Sequence, residues 1–160
     1  MSDAARYGEL FRRAYAALHG GAPDEEAAFV QRRSDESLEE FLARSRREAL
    51  APLRDALQAM TPPAGLDDAH RLLLEAIECA LEADAALAAQ VRAYGCGDYQ
   101  QSIQHSERVA VLAQRAVEVD RELIRALWRA EEATPGTLAA LGLVDVLPRG
   151  DDTRRLSDEE

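Results

Sequence analysis

Residues 66–94, LDDAHRLLLEAIECALEADAALAAQVRAY, and residues 98–133, DYQQSIQHSERVAVLAQRAVEVDRELIRALWRAEEA, decide the fold. In the first stretch apolar side chains recur at steps of three, four and seven through Leu66, Leu73, Ile77, Ala80, Leu87, Val91 and Tyr94. In the second the pattern resumes in Ile103, Ala110, Ala113, Val117, Ile124 and Leu127. That period belongs to a helix with one buried stripe and not to a strand. Only Gly95-Cys96-Gly97 separates the two, so they read as an antiparallel helical hairpin. The second arm would be roughly 50 Å long at 1.5 Å per residue.

The flanking sequence supplies the ends. Thr61-Pro62-Pro63 reads as the start of the first arm, with threonine as cap and proline at an early position whose N–H has no partner anyway. Asp67 and Asp68 suit the positive end of that helix. Asp98 reads as the cap of the second arm, with Gln101 completing a capping box. Thr134-Pro135 repeats the cap-plus-proline device and opens a short helix that Gly142 closes. Leu143, Val144, Val146 and Leu147 are placed to cover the bundle end. Upstream, Tyr7, Leu10, Phe11, Ala14 and Leu18 share one face of a helix over Asp3 to Leu18, which His19-Gly20-Gly21-Ala22-Pro23 ends. A second helical region starts near Asp24, pauses at Ser34-Asp35-Glu36-Ser37, and continues through the stripe Leu38, Phe41, Leu42, Ala49, Leu53, Ala56, Met60. Pro52 lies inside that stripe and predicts a kink, not a stop. The fold expected is an all-α, antiparallel up-and-down bundle of four main helical segments with a short C-terminal helix. Residues 1–148 form its single domain, and residues 149–160 a disordered acidic tail.

Composition agrees. Thirty-one of 160 residues are alanine and eight are aromatic, which favours long helices in close contact. Every basic residue is arginine. The net charge of −11 argues against nucleic acid and against anionic lipid as partners. No stretch approaches the roughly 20 apolar residues of a membrane span, and the N-terminus lacks the order of a secretory signal. Cys79 and Cys96 make no disulfide framework, so a cytoplasmic protein is expected.

One local resemblance stands in residues 61–81. Thr61-Pro62-Pro63 followed by Leu66, His70, Leu73 and Ile77 resembles the TPP…L…H helix opening of uncharacterised bacterial all-helical proteins. The resemblance implies no activity.

Candidate chemistry is confined to polar residues that interrupt the stripes. His70 and Asp84 fall on the stripe of the first arm, Ser106 and Asp120 on that of the second, and His105 beside it. Asp84, His105 and His70 are the metal-ligand candidates, because a buried carboxylate or imidazole needs a partner. Against this, a di-metal bundle uses Glu-x-x-His from two helices. The chain has no such motif; its nearest approach is Asp67-x-x-His70. Glu75, Glu78 and Glu82 read as an exposed acidic face. Glu36-x-x-Glu39 and Glu75-x-x-Glu78 match only the first half of the helical pyrophosphohydrolase pattern. Arg12-Arg13, Arg32-Arg33 and Arg44, Arg46, Arg47 are offset by neighbouring acids and accompany no nucleic-acid motif.

No cofactor is implied. The function expected is that of a non-enzymatic bundle acting through protein–protein interaction or self-assembly, as a homodimer, because the first helix is too short to cover the long hairpin. The alternative is a small ferritin-like metal-binding bundle, or an enzyme, using the seam carboxylates and histidines. Asp84 is expected opposite Val109 and within reach of His105.

Overall fold

The computed structural model describes residues 2–19, 33–145 and 147. Those residues are all-α: α1 Asp3–Leu18, α2 Leu38–Gln58, α3 Asp67–Gly95, α4 Tyr99–Ala133 and the short α5 Thr137–Ala140. Adjacent helices pack antiparallel, and α3 against α4 is the dominant pairing. The helical start near Asp24, Val146 and the acidic tail lie outside the described residues.

Local chemistry sets most of the ends. Ser37 opens α2 with a reciprocal box: its hydroxyl accepts from Glu40 N at 3.1 Å while the Glu40 carboxylate accepts from Ser37 N at 3.0 Å. The α2 helix runs through Pro52 without stopping. At the hairpin turn Gly97 takes the left-handed conformation (φ 81°), and Asp98 N donates to Ala93 O while Gly97 N donates to Tyr94 O. Together these satisfy the last carbonyls of α3. Gly142 (φ 66°) closes α5 in the same way, with Leu143 N bonded to Leu138 O and Gly142 N to Ala139 O.

Three helix starts differ from expectation. The α3 helix begins at Asp67, not at Thr61-Pro62-Pro63. Gly65 turns the chain with φ 85°, and the N-cap is Leu66, without a side-chain cap bond. Asp98 does cap α4, accepting from Gln101 N at 3.1 Å. Its own N–H is engaged by Ala93 O, so the capping box is one-sided. Before α5 the capping group is Glu131, whose carboxylate accepts from Gly136 N at 2.9 Å and Leu138 N at 2.8 Å.

The core gathers at one end of the hairpin. Its fully buried large side chains are Tyr7 and Phe11 from α1, Leu50 and Leu57 from α2, Leu73 and Ile77 from α3, Val119, Leu123 and Leu127 from α4, and Leu143 after α5. The remaining buried residues of α3 beyond Leu81 and of α4 before Val119 are Ala86, Ala88, Ala93 and Ser102. Small side chains there let the two arms approach closely, and Ser102 Oγ donates to Gln90 O across the gap at 3.3 Å.

Candidate functional site

Three of the seam-breaking polar residues, His70, Asp84 and Asp120, find partners, on α1, on α2 and at the end of α1, and not across the hairpin. His70 Nδ1 lies 3.1 Å from Tyr7 Oη. Burial pushes the His70 pKa down, opposed by Asp67, and a neutral ring can accept the Tyr7 hydroxyl proton. Asp120 Oδ1 receives His19 Nε2 at 3.0 Å, while His19 Nδ1 lies 2.8 Å from Tyr15 O. Both ring nitrogens of His19 thus face acceptors, which suits the imidazolium. The Asp120 hydrogen bond accordingly raises its pKa, with burial opposing. A cation there also suits the C-terminal end of α1.

Asp84 corrects the expected pairing with His105. Its Oδ1 accepts from Arg46 Nη1 of α2 at 3.3 Å, and its buried Oδ2 has no hydrogen-bond partner among the described residues. Burial raises its pKa and Arg46 opposes the rise. Along the hairpin the expected level, Val109, differs from the observed one by three residues, just under one helical turn. The ion pairs Glu82–Arg108 and Glu75–Arg115 set a register in which Asp84 is level with Ser106, one residue from His105. What fails is the rotation about the α3 axis: Asp84 is on the α2 side of the helix. The His105 side chain makes no hydrogen bond to any described residue, and Ser106 is exposed. His70, Asp84 and His105 are therefore not brought together. Among the described residues no group of three or more His, Cys, Asp or Glu side chains is arranged to hold a metal ion.

The run Glu75, Glu78, Glu82 is a clamp and not merely an acidic face. Glu78 meets Arg54 of α2 at 3.1 Å, Glu82 meets Arg108 of α4 at 2.9 Å, and Glu75 meets Arg115 of α4. Their spacing of three and four residues fans the carboxylates toward both neighbours of α3. A cleft of about 420 Å³ between α2 and α3 is edged by Arg33, Arg44, Arg47 and Arg92, with Asp35, Glu36 and Glu40 interleaved. Arg44 binds Glu36 at 2.8 Å and Glu48 at 3.3 Å, and Arg92 binds Glu40 at 3.2 Å, so most of the cleft's charge is paired, with four arginines against three acids in its lining.

Among the described residues, the feature with no internal occupant is the outer half of the hairpin. On α4 the steps 4-3-4-3 run through Tyr99, Ile103, Ser106, Ala110, Ala113, Val117 and Asp120 into Ile124 and Leu127. Ile124 and Leu127 are buried, Asp120 is under the end of α1, and every stripe residue from Val117 back to Tyr99 is exposed. The α3 stripe behaves alike: Leu73 and Ile77 are buried, whereas Leu87, Val91 and Tyr94 reach solvent. Exposure is 37% at Leu87, 66% at Tyr94, 61% at Tyr99, 61% at Ile103 and 49% at Val117. Tyr94 and Tyr99 meet edge-to-face, ring centroids 5.5 Å apart, and join the two stripes at the turn. One apolar seam is thus buried at its inner end and open for about 27 Å on α4, taking 1.5 Å per residue. A signal for it was present in the sequence: from Tyr99 to Gln114 the only charged residues are Glu107 and Arg108, in a chain that is 31% charged.

No family model, curated protein or solved structure matches this chain. Among the described residues no helix is long and apolar enough to cross a membrane.

Proposed function

We propose that this protein is a non-enzymatic binding module that presents the open face of the α3–α4 hairpin to another polypeptide. The observation that carries this reading is a single heptad stripe, buried from Ile124 inward and exposed from Val117 outward. A stripe of that period is built to be covered by helix, and apolar area left open on this scale marks an interaction surface. Depletion of charge along Tyr99–Gln114 fits the core of an interface, while the net charge of −11 disfavours nucleic acid and anionic membranes as partners. Two free thiols, Cys79 buried and Cys96 exposed, suit a cytoplasmic setting.

Photo-crosslinking tests the module. A photoreactive phenylalanine analogue at Ile103, in cells that make the protein, is expected to give a discrete polypeptide adduct. The same analogue at Val111, which is 69% exposed but off the stripe, is expected to give none. Equal yields at both positions, or none at either, would remove the reading.

A further inference from the structure

We infer that the occupant of the open face is a second copy of this chain, docked antiparallel, α4 against α4, about a two-fold axis at Ala110. This rests on the reading of the hairpin face as an interaction surface and names its partner.

Three features favour a second copy in that orientation. The stripe is self-complementary about Ala110: Ile103 and Val117 each lie seven residues away, so a two-fold axis there sets Ile103 of one copy on Val117 of the other. A two-fold contact requires such reciprocity. The positions nearest the axis, Ser106, Ala110 and Ala113, are small, so the helices can approach closely between larger side chains at either end.

Charge supplies the second feature. Residues 99–116 of α4 hold one acid and two arginines, whereas residues 117–133 hold five acids and three arginines. Antiparallel packing about that axis opposes the helix dipoles and sets residues 117–121 of each copy, with Glu118, Asp120 and Arg121, on the uncharged residues 99–103 of the other. It leaves the acidic residues 122–133 outside the α4–α4 contact, while parallel packing in register would bring the acidic halves together.

Area is the third. At their fractional exposures Leu87, Tyr94, Tyr99, Ile103 and Val117 together present roughly 500 Å² per copy, or about 1,000 Å² for two, near the lower bound for a specific interface. The end of α1 at Asp120 marks where one copy's open stripe stops, and the Tyr94–Tyr99 tip of the other copy fits against that step.

Cysteine crosslinking in the full chain tests the geometry. With Cys96→Ser removing the exposed native thiol, Ala110→Cys is expected to form an intermolecular disulfide on mild oxidation. A mixture of Ile103→Cys and Val117→Cys chains is expected to link to each other more than either links to itself. Self-linking at 103 and at 117 without the mixed product would mean parallel packing and overturn the proposal. A monomeric Ala110→Cys chain whose introduced thiol resists thiol reagents would mean that the chain's own residues 20–32 or 148–160 cover the stripe, and would overturn it too. Free reaction of that introduced thiol and no dimer, alongside a photo-adduct at 103 to a different polypeptide, would also overturn it. That last result would leave the binding-module reading standing.

Discussion

Replacing Asp84 with alanine is expected to stabilise the protein. Asp84 is partly buried, with Oδ2 shut off from water and unpartnered among the described residues, and a buried orphan acceptor costs about 1–3 kcal/mol. What the substitution gives up is the contact with Arg46, whose side chain is 39% exposed, and a half-solvated pair of that kind contributes about 0–1 kcal/mol. Alanine also gains a few tenths of a kcal/mol in helix propensity, roughly offsetting lost packing. The net expectation at pH 7 is a gain of about 1–2 kcal/mol, or about 2–8 °C in melting temperature for a chain of this size.

The sign with pH follows from the raised carboxyl pKa. The folded form binds the proton more readily than the unfolded one. The penalty is therefore full above the folded pKa and is relieved as pH falls toward the ordinary value of 3.8. The advantage of Asp84→Ala is expected to shrink over that interval. Arg46→Ala, which strands the carboxylate, is expected to cost about 1–3 kcal/mol. In the Asp84→Ala background the same change is expected to cost almost nothing. Thermal and urea denaturation of the four proteins at pH 7 read this directly. Destabilisation by Asp84→Ala would refute the reasoning, because Oδ2 would then have an unseen partner worth more than its desolvation.

Gly8→Ala is expected to destabilise by about 1–3 kcal/mol despite better helix propensity. A Cβ there would come within 2.9 Å of the backbone oxygen of Ala140, so α1 and α5 would have to separate; urea denaturation checks it. His19 and His70 titrate in opposite senses. Stability from the His19–Asp120 contact is present below the ordinary histidine value of 6.5 and fades as pH rises through its raised folded pKa. The contribution of neutral His70 is present above 6.5 and is lost as pH falls through its lowered one. In melting curves between about pH 5 and 8, His19→Gln is expected to leave stability rising with pH, and His70→Gln to leave it falling. Ile103→Glu with Val117→Glu is expected to preserve helical circular dichroism while abolishing self-association in sedimentation, since neither residue belongs to the core.

Much of the fold was legible because α3 and α4 carry their heptad pattern over many turns, and because α3 and α5 are each followed by a glycine in the left-handed conformation. Gly97 and Gly142 stop helices where the spacing places the stops. The starts were harder. Thr61-Pro62-Pro63 has good capping composition, yet Gly65 turns the chain after it and α3 begins at Asp67. The cap of α5 comes from Glu131, a residue of the preceding helix that no local pattern marks.

Spacing places the seam residues along the hairpin but not around it. Each residue turns a helix by about 100°, so a stripe read from spacing gives level more securely than direction. Asp84 accordingly meets Arg46 of α2, and Asp120 meets His19 of α1. The shortness of α1 was visible in the sequence, and with it the reason that no described helix covers the outer hairpin.

The mass of the protein in solution bears most directly on the open hairpin face as a self-association surface. Light scattering coupled to size exclusion, at micromolar concentration and neutral pH, is expected to return twice the chain mass of 17.6 kDa. The Ile103→Glu, Val117→Glu protein is expected to return the single-chain value. A wild-type mass of 17.6 kDa, unchanged as concentration rises, would contradict the account.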